Sequence, residues 1–79
     1  MASLRFFAGA AEAAQTEAAT LDAGTIGELR AELSEHYGSE FMRVLKLCSL
    51  LVNGTRVSDD AVTLAPTDTV DVLPPFAGG

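Results

Sequence analysis

Apolar and polar residues alternate near both ends of the chain, whereas in between the apolar ones recur every three or four positions. Leu4, Phe6 and Ala8 alternate with Arg5 and Phe7. Alternation with aromatic content fits a pleated, half-buried strand better than a helix. A first strand is therefore predicted over residues 3–8. The alanine-rich stretch from Gly9 to Ala14 is a helical turn or a connecting loop, with propensity favouring the helix. A second, weaker strand is predicted over residues 16–21, so the two strands form a meander with a longish connection.

Thr25-Ile26-Gly27-Glu28 has the capping-box spacing, in which the threonine hydroxyl accepts a backbone N–H and the glutamate reaches back. Ile26, Leu29, Leu33 and Tyr37 then form one helical stripe, with Glu28, Arg30, Glu32 and Glu35 outward. This helix is predicted over residues 26–37, with Gly38 supplying a left-handed stop. Phe41, Val44, Leu45 and Cys48 continue as a shorter helix with Arg43 and Lys46 on its wet side. Leu50-Leu51-Val52 runs into Asn53-Gly54, a dipeptide suited to a type I′ turn, and Thr55-Arg56-Val57 returns as a hairpin. Turn residues follow at Asp59-Asp60 and Ala65-Pro66-Thr67-Asp68. Thr69-Val70-Asp71-Val72-Leu73 alternates as the last strand, and Pro74-Pro75 ends it because neither proline can donate to a ladder.

This order predicts an α+β fold: a mixed sheet with one main helix and one shorter helix on a single face. The first and last strands are expected side by side and parallel at the sheet centre. No internal repeat or low-complexity linker interrupts the pattern. Residues 1–75 are read as one domain and residues 76–79 as a flexible tail.

Composition narrows the function. A chain of 79 residues, 48% of them hydrophobic, has room for one core. Its single cysteine, Cys48, cannot form an internal disulfide, and no paired Cys/His spacing points to zinc. No basic leader followed by an apolar run is present, nor a stretch of roughly 18 apolar residues, so a soluble cytoplasmic protein is expected. Eleven acidic residues against five basic ones give a net charge of −6, which repels a phosphate backbone and favours a partner with a basic surface. No Ser/His/Asp set and no phosphate-cradling glycine loop is evident. His36 is read as a helix-end residue suited to the dipole, Cys48 as a small buried hydrophobe, Glu12 as a solvated charge, and Phe6, Phe7 and Phe41 as core or interface.

The chemical feature is the ending, Pro74-Pro75-Phe76-Ala77-Gly78-Gly79. After the last strand nothing remains to fold back over it. From Pro75 the chain can reach roughly 16–18 Å, enough to carry a terminal carboxylate into another protein's active site. Gly78 and Gly79, having no Cβ, allow a narrow channel on the partner and close approach to the last carbonyl. Pro74 and Pro75 stiffen the base of this arm, and Phe76 is placed as a hydrophobic anchor.

These residues resemble the ubiquitin-like β-grasp sulfur carriers of the MoaD/ThiS type, and most closely the molybdopterin synthase small-subunit branch. Phe6-Phe7-Ala8 followed by Glu12 is similar to the opening strand and Phe-Ala signature of that family, and Val52-Asn53-Gly54 to its hairpin. Asp68, Val70, Val72, Pro74-Pro75-Phe76 and Gly78-Gly79 match its ending, the most specific part of a resemblance that covers essentially the whole chain. Ala11 stands where the family usually has arginine, and Gln15 where it often has glycine.

The resemblance implies a ubiquitin-like β-grasp fold and a carrier whose partners hold the catalytic groups. It implies that Gly79 is the reacting residue, with Pro74, Pro75, Phe76, Ala77 and Gly78 contacting partners. The implied partners are an ATP-dependent adenylating enzyme (MoeB type), a sulfur donor protein, and the molybdopterin synthase large subunit (MoaE type). No cofactor is expected on the chain itself, ATP being used by the adenylating partner. Delivery of sulfur to thiamin, cysteine or another metabolite, conjugation to lysines as a protein modifier, and an interaction module with an inert tail are the alternatives.

Overall fold

In the computed structural model, which describes residues 1–75, the apolar alternation becomes one five-stranded sheet covered by helices on one face. The elements run β1 (Ala2–Phe6), α1 (Gly9–Ala14), β2 (Ala18–Leu21), α2 (Ile26–Leu47), β3 (Ser49–Val52), β4 (Thr55–Val57) and β5 (Thr69–Leu73). Their order across the sheet is β2-β1-β5-β3-β4. β1 and β5 are parallel neighbours at the centre, as expected, while every other pairing is antiparallel. A parallel pair needs a long crossover, and here almost the entire chain provides it.

The core lies between sheet and helices. Leu4 and Phe6 of β1, Val70 and Val72 of β5, and Leu50 of β3 meet Ile26, Leu29, Leu33, Phe41 and Leu45 of α2. Fully burying side chains of this size stabilises by about 1.5–3 kcal/mol each before entropy is counted. At one end of this layer Phe6, Tyr37 and Phe41 pack edge-on or tilted, with ring centroids 5.0–5.8 Å apart.

The cap of α2 forms with one change of partner. Thr25 Oγ1 accepts the Glu28 N–H at 3.1 Å, but the Glu28 carboxylate accepts the N–H of Gly24, at 2.8 Å, and not that of Thr25. The expected stop at Gly38 forms, and a second helical limb follows it directly. Gly38 has φ 79 and ψ −174, so α2 consists of two helical limbs that both face the sheet. A positive φ there is cheap only for glycine.

β1 is shorter than its apolar alternation because the backbone turns away at Ala8. Ala8 has φ 49 and ψ −124, and Ala10 N–H donates to Phe7 O at 3.0 Å. That is the geometry of a type II′ turn, whose first central position normally holds glycine. Gln15 likewise takes a left-handed conformation, φ 59, where α1 ends. This gives a physical reason for the glycine that the resembled family often has there. β2 in turn starts late, because Thr16 Oγ1 donates to Ala18 O at 3.0 Å and holds the preceding residues in a local turn.

The hairpin at Asn53-Gly54 has positive φ at both residues, 50 and 88, as its sequence predicts. Asn53 does more than turn the chain. Its N–H donates to Thr69 O (2.8 Å), its Oδ1 accepts from Thr69 N–H (3.0 Å), and its Nδ2 donates to Asp68 Oδ1 (2.9 Å). Asp68 Oδ2 also accepts the Ala65 N–H at 2.8 Å. The hairpin thus clamps the start of β5, and these bonds, first from the Ala65 backbone and then from Asn53, hold the Asp68 carboxyl below the usual aspartate range.

Two measurements test this account. Ala8 is exposed, so Ala8→Gly loses no packing and relieves turn strain. It should raise stability by about 1 kcal/mol, or roughly 4–8 °C in Tm. Because the Asp68 carboxyl is more acidic folded than unfolded, its contribution is complete above the unfolded value of about 3.9 and is lost as pH falls through the folded one. The Tm deficit of Asp68→Ala relative to wild type should therefore be full at pH 7 and shrink below about pH 4.

Candidate functional site

β5 places the candidate site because it carries the chain toward residues 76–79. It is held by β1 up to Val72 and by β3 up to its last residue, Leu73. On one side Phe6 pairs with Val72 and the Phe7 N–H donates to Val72 O at 3.2 Å; on the other Ser49 pairs with Leu73. Pro74 then ends the ladder, half-buried, and Pro75 is exposed. The root of the expected tail is therefore fixed in a three-strand ladder. Of the residues predicted to react or to contact partners, Pro74 and Pro75 lie at this root, while Phe76, Ala77, Gly78 and Gly79 fall outside the described residues.

The sheet face away from the helices is open. The strand register aligns Ala18, Arg5, Asp71, Leu51 and Arg56 in one row across all five strands. In this row Arg5 grips Asp71 through a two-pronged ion pair, Nε to Oδ1 at 2.7 Å and Nη2 to Oδ2 at 2.9 Å. Such a fork is the strong, directional form of the carboxylate–guanidinium contact. The Asp71 side chain is only 15% exposed and that of Arg5 58%, so the arginine shields the acid from the outer face. Hydrogen bonding to Asp71, with its charge second, raises the already high pKa of the guanidinium. The guanidinium carbon also lies 5.9 Å from the centre of the Phe7 ring. Below this pair, Ser3, Thr20 and Thr69 sit side by side and line a shallow basin of about 740 Å³.

Arg5 and Asp71 are the features that sequence reading missed, while Phe7, read as core or interface, is exposed. The ion pair joins residues 66 positions apart, and only the parallel register of β1 and β5 reveals it. The alternation of β1 alone does put Arg5 on the polar face. The other singled-out residues take quieter roles. His36 and Glu12 are exposed, and Phe6 and Phe41 are core. Cys48 is half-buried, with its S–H donating to Val44 O at 3.1 Å, and burial pushes the thiol pKa up. A thiol in that state is a poor nucleophile at neutral pH. Among the described residues no three His, Cys, Asp or Glu side chains converge to hold a metal ion, and no helix is long and apolar enough to cross a membrane.

Comparison with known proteins fits this architecture. One chain of a complex between subunits 1 and 2 of the molybdopterin-converting factor from Helicobacter pylori superposes with a TM-score of 0.75 at 28% identity, covering 99% of this chain and 97% of that one. Small archaeal modifier protein 1 from Haloferax volcanii gives 0.77 at 23% identity, covering 99% and 98% of the two chains. The protein of that name from Methanosarcina acetivorans gives 0.81 at 20% identity, covering 99% and 95%. At these last two identities the likeness establishes the shared fold, the ubiquitin-like β-grasp. Among curated proteins none matches the sequence. The model of the ThiS family matches residues 4–79, nearly the full length, and the chain therefore belongs to the ThiS family of ubiquitin-like β-grasp proteins.

Proposed function

We propose that the chain is a sulfur carrier in molybdenum cofactor biosynthesis, acting as the small subunit of molybdopterin synthase through a thiocarboxylate on Gly79. One observation carries the reading: a rigid, doubly paired strand, followed by two prolines, leads to Gly78-Gly79 in a member of this family. The pathway is favoured by Pro74-Pro75, which resembles the small-subunit ending, and by the likeness to a chain of the Helicobacter pylori converting-factor complex.

The chemistry follows from the terminal group. A free α-carboxylate, with a reference pKa of about 3.3–3.7, is ionised at neutral pH and is a poor electrophile. Attack of its oxygen on the α-phosphate of ATP, in the adenylating partner, releases pyrophosphate and leaves an acyl-adenylate on Gly79. A sulfur nucleophile from a donor protein then adds to the acyl carbon, and AMP departs with the electron pair of the broken C–O bond. With a persulfide donor the first product is an acyl disulfide; a second thiol then attacks the donor's sulfur, breaks the S–S bond, forms a disulfide with the donor and releases the thiocarboxylate. The loaded tail then enters the large subunit, where sulfur passes to the pyranopterin precursor. Every catalytic group in this sequence belongs to a partner. The chain supplies the reacting end, the stiff root formed by Pro74 and Pro75, and contacts through Phe76, Ala77 and Gly78.

The same activated glycine would serve a protein modifier, the role named for the two archaeal relatives, by forming isopeptide bonds with lysines. Intact mass separates the outcomes. Incubation with ATP, the adenylating enzyme of the same organism and a sulfide source should add the mass difference of one sulfur for one oxygen. Removal of Gly78-Gly79 should abolish that gain. An unchanged mass, with lysine-linked glycine remnants found on other proteins, would overturn the carrier reading in favour of the modifier. Co-purification of the loaded chain with a thiazole synthase in place of a pterin-binding large subunit would move the carrier to another sulfur pathway.

A further inference from the structure

We propose that the free edge of β2 takes up an extended segment of another protein, basic at both ends, as an additional strand of the sheet. β2 is one of the two edge strands, the other being β4. Exposed edges invite pairing with other chains unless charge, proline or a bulge blunts them. β4 is three residues long and carries Arg56, whereas β2, Ala18-Ala19-Thr20-Leu21, has no charge and no proline, and its register against β1 runs without a bulge. Pairing with β1 fixes which of its backbone groups are free. The Phe6 N–H donates to Glu17 O at 2.9 Å, and hydrogen-bonded pairs alternate along an antiparallel ladder, so Leu4 with Ala19 and Ala2 with Leu21 are the next. The N–H and C=O of Ala18 and Thr20 therefore point away from the sheet.

Charge and burial identify the occupant. Glu17 and Asp22, at the two ends of this edge, are exposed, and neither takes part in an ion pair among the described residues. A strand laid along residues 17–22 meets a carboxylate at each end, which selects basic residues there; a second copy would instead bring four carboxylates to one seam. Between the ends, Leu21 is buried and Ala19 half-buried on the helix side, while Ala18 and Thr20 are exposed on the open face. An antiparallel partner thus fits when it reads basic, apolar, small, apolar, small, basic. Thr16 covers part of the edge at rest: its Oγ1 donates to Ala18 O at 3.0 Å and accepts the Ala18 N–H at 3.4 Å, so the outward pair of Thr20 is the one left open. Because β1 lies between β2 and β5, a partner held here leaves β5 and the root of the tail uncovered.

The test is binding of the end-capped peptide Lys-Val-Thr-Val-Thr-Lys to the full chain, read by backbone NMR and amide exchange, with no activation of the tail required. The Thr20 amide should exchange quickly in the free chain and slow at least about tenfold in the complex, with that of Ala19 protected in both. Thr20→Pro removes an N–H that no strand of the chain uses, on an edge where proline is tolerated, and should weaken binding at least about tenfold while the sheet stays folded. Glu17→Lys combined with Asp22→Lys should weaken it as much, and should restore binding to the same peptide with glutamates in place of its lysines. Thr16→Val frees the Ala18 pair and should tighten binding about threefold. Absence of binding to wild type, unchanged binding by the doubly charge-reversed variant, or shifts lying outside residues 17–22 would overturn the proposal. A wild-type chain that self-associates with its Thr20 amide protected would assign the edge to a second copy and overturn it as well. Should Thr20→Pro fail to fold, the charge reversal decides.

Discussion

The parallel contact between β1 and β5 is the constraint on which the rest of the molecule depends. It joins the first and last strands at the sheet centre, with both helices and the hairpin in the crossover between them. Such long-range pairing costs loop-closure entropy before any contact repays it. The alternating burial of the two strands fixes their register. Leu4, Phe6, Val70 and Val72 all face the helices, and a shift of one residue in β5 would turn both valines outward and Asp71 into the core. The Arg5–Asp71 fork is best understood in that light. Arg5 is largely exposed, so the pair adds little stability of its own, but it is satisfied only in the correct register.

Function inherits its geometry from that ladder. With β1 and β5 running in the same direction, the corner after β1 and the departure of β5 share one end of the sheet. Phe7 is therefore beside Val72, although about 65 residues separate the two in sequence. The start of β5 needs an anchor of a different kind, since no strand precedes it directly. Asn53 and Asp68 provide it by linking the hairpin tip to the turn before Thr69. One end of β5 is thus held by polar bonds in an exposed turn, and the other by backbone pairing that stops at Pro74.

The legible part of this structure was the part written in local pattern. The strand over Thr69–Leu73, the stripe of Ile26, Leu29 and Leu33, and the Asn53-Gly54 turn each depend on neighbours within a few residues, and all formed where the pattern put them. The break at Gly38 was legible for the same reason. Two kinds of feature escaped. Alanine carries no signal for the positive φ that Ala8 adopts in the turn after the Phe7–Val72 bond. The Arg5–Asp71 pair and the second role of Asn53 require knowledge of which distant strands are neighbours. The root of the candidate site, at Pro74 and Pro75, was visible in sequence, whereas the surface around that root was not.

The state of the one thiol bears on where sulfur has to come from in the proposed chemistry. Cys48 adjoins Ser49, which pairs with Leu73, and so belongs to the end of the sheet from which the chain continues to Gly79. A free thiolate there would be a competing nucleophile toward an activated acyl group. Its burial favours the protonated form, whose S–H donates to Val44 O. In the proposed chemistry Cys48 would thereby compete poorly for an activated acyl group on Gly79.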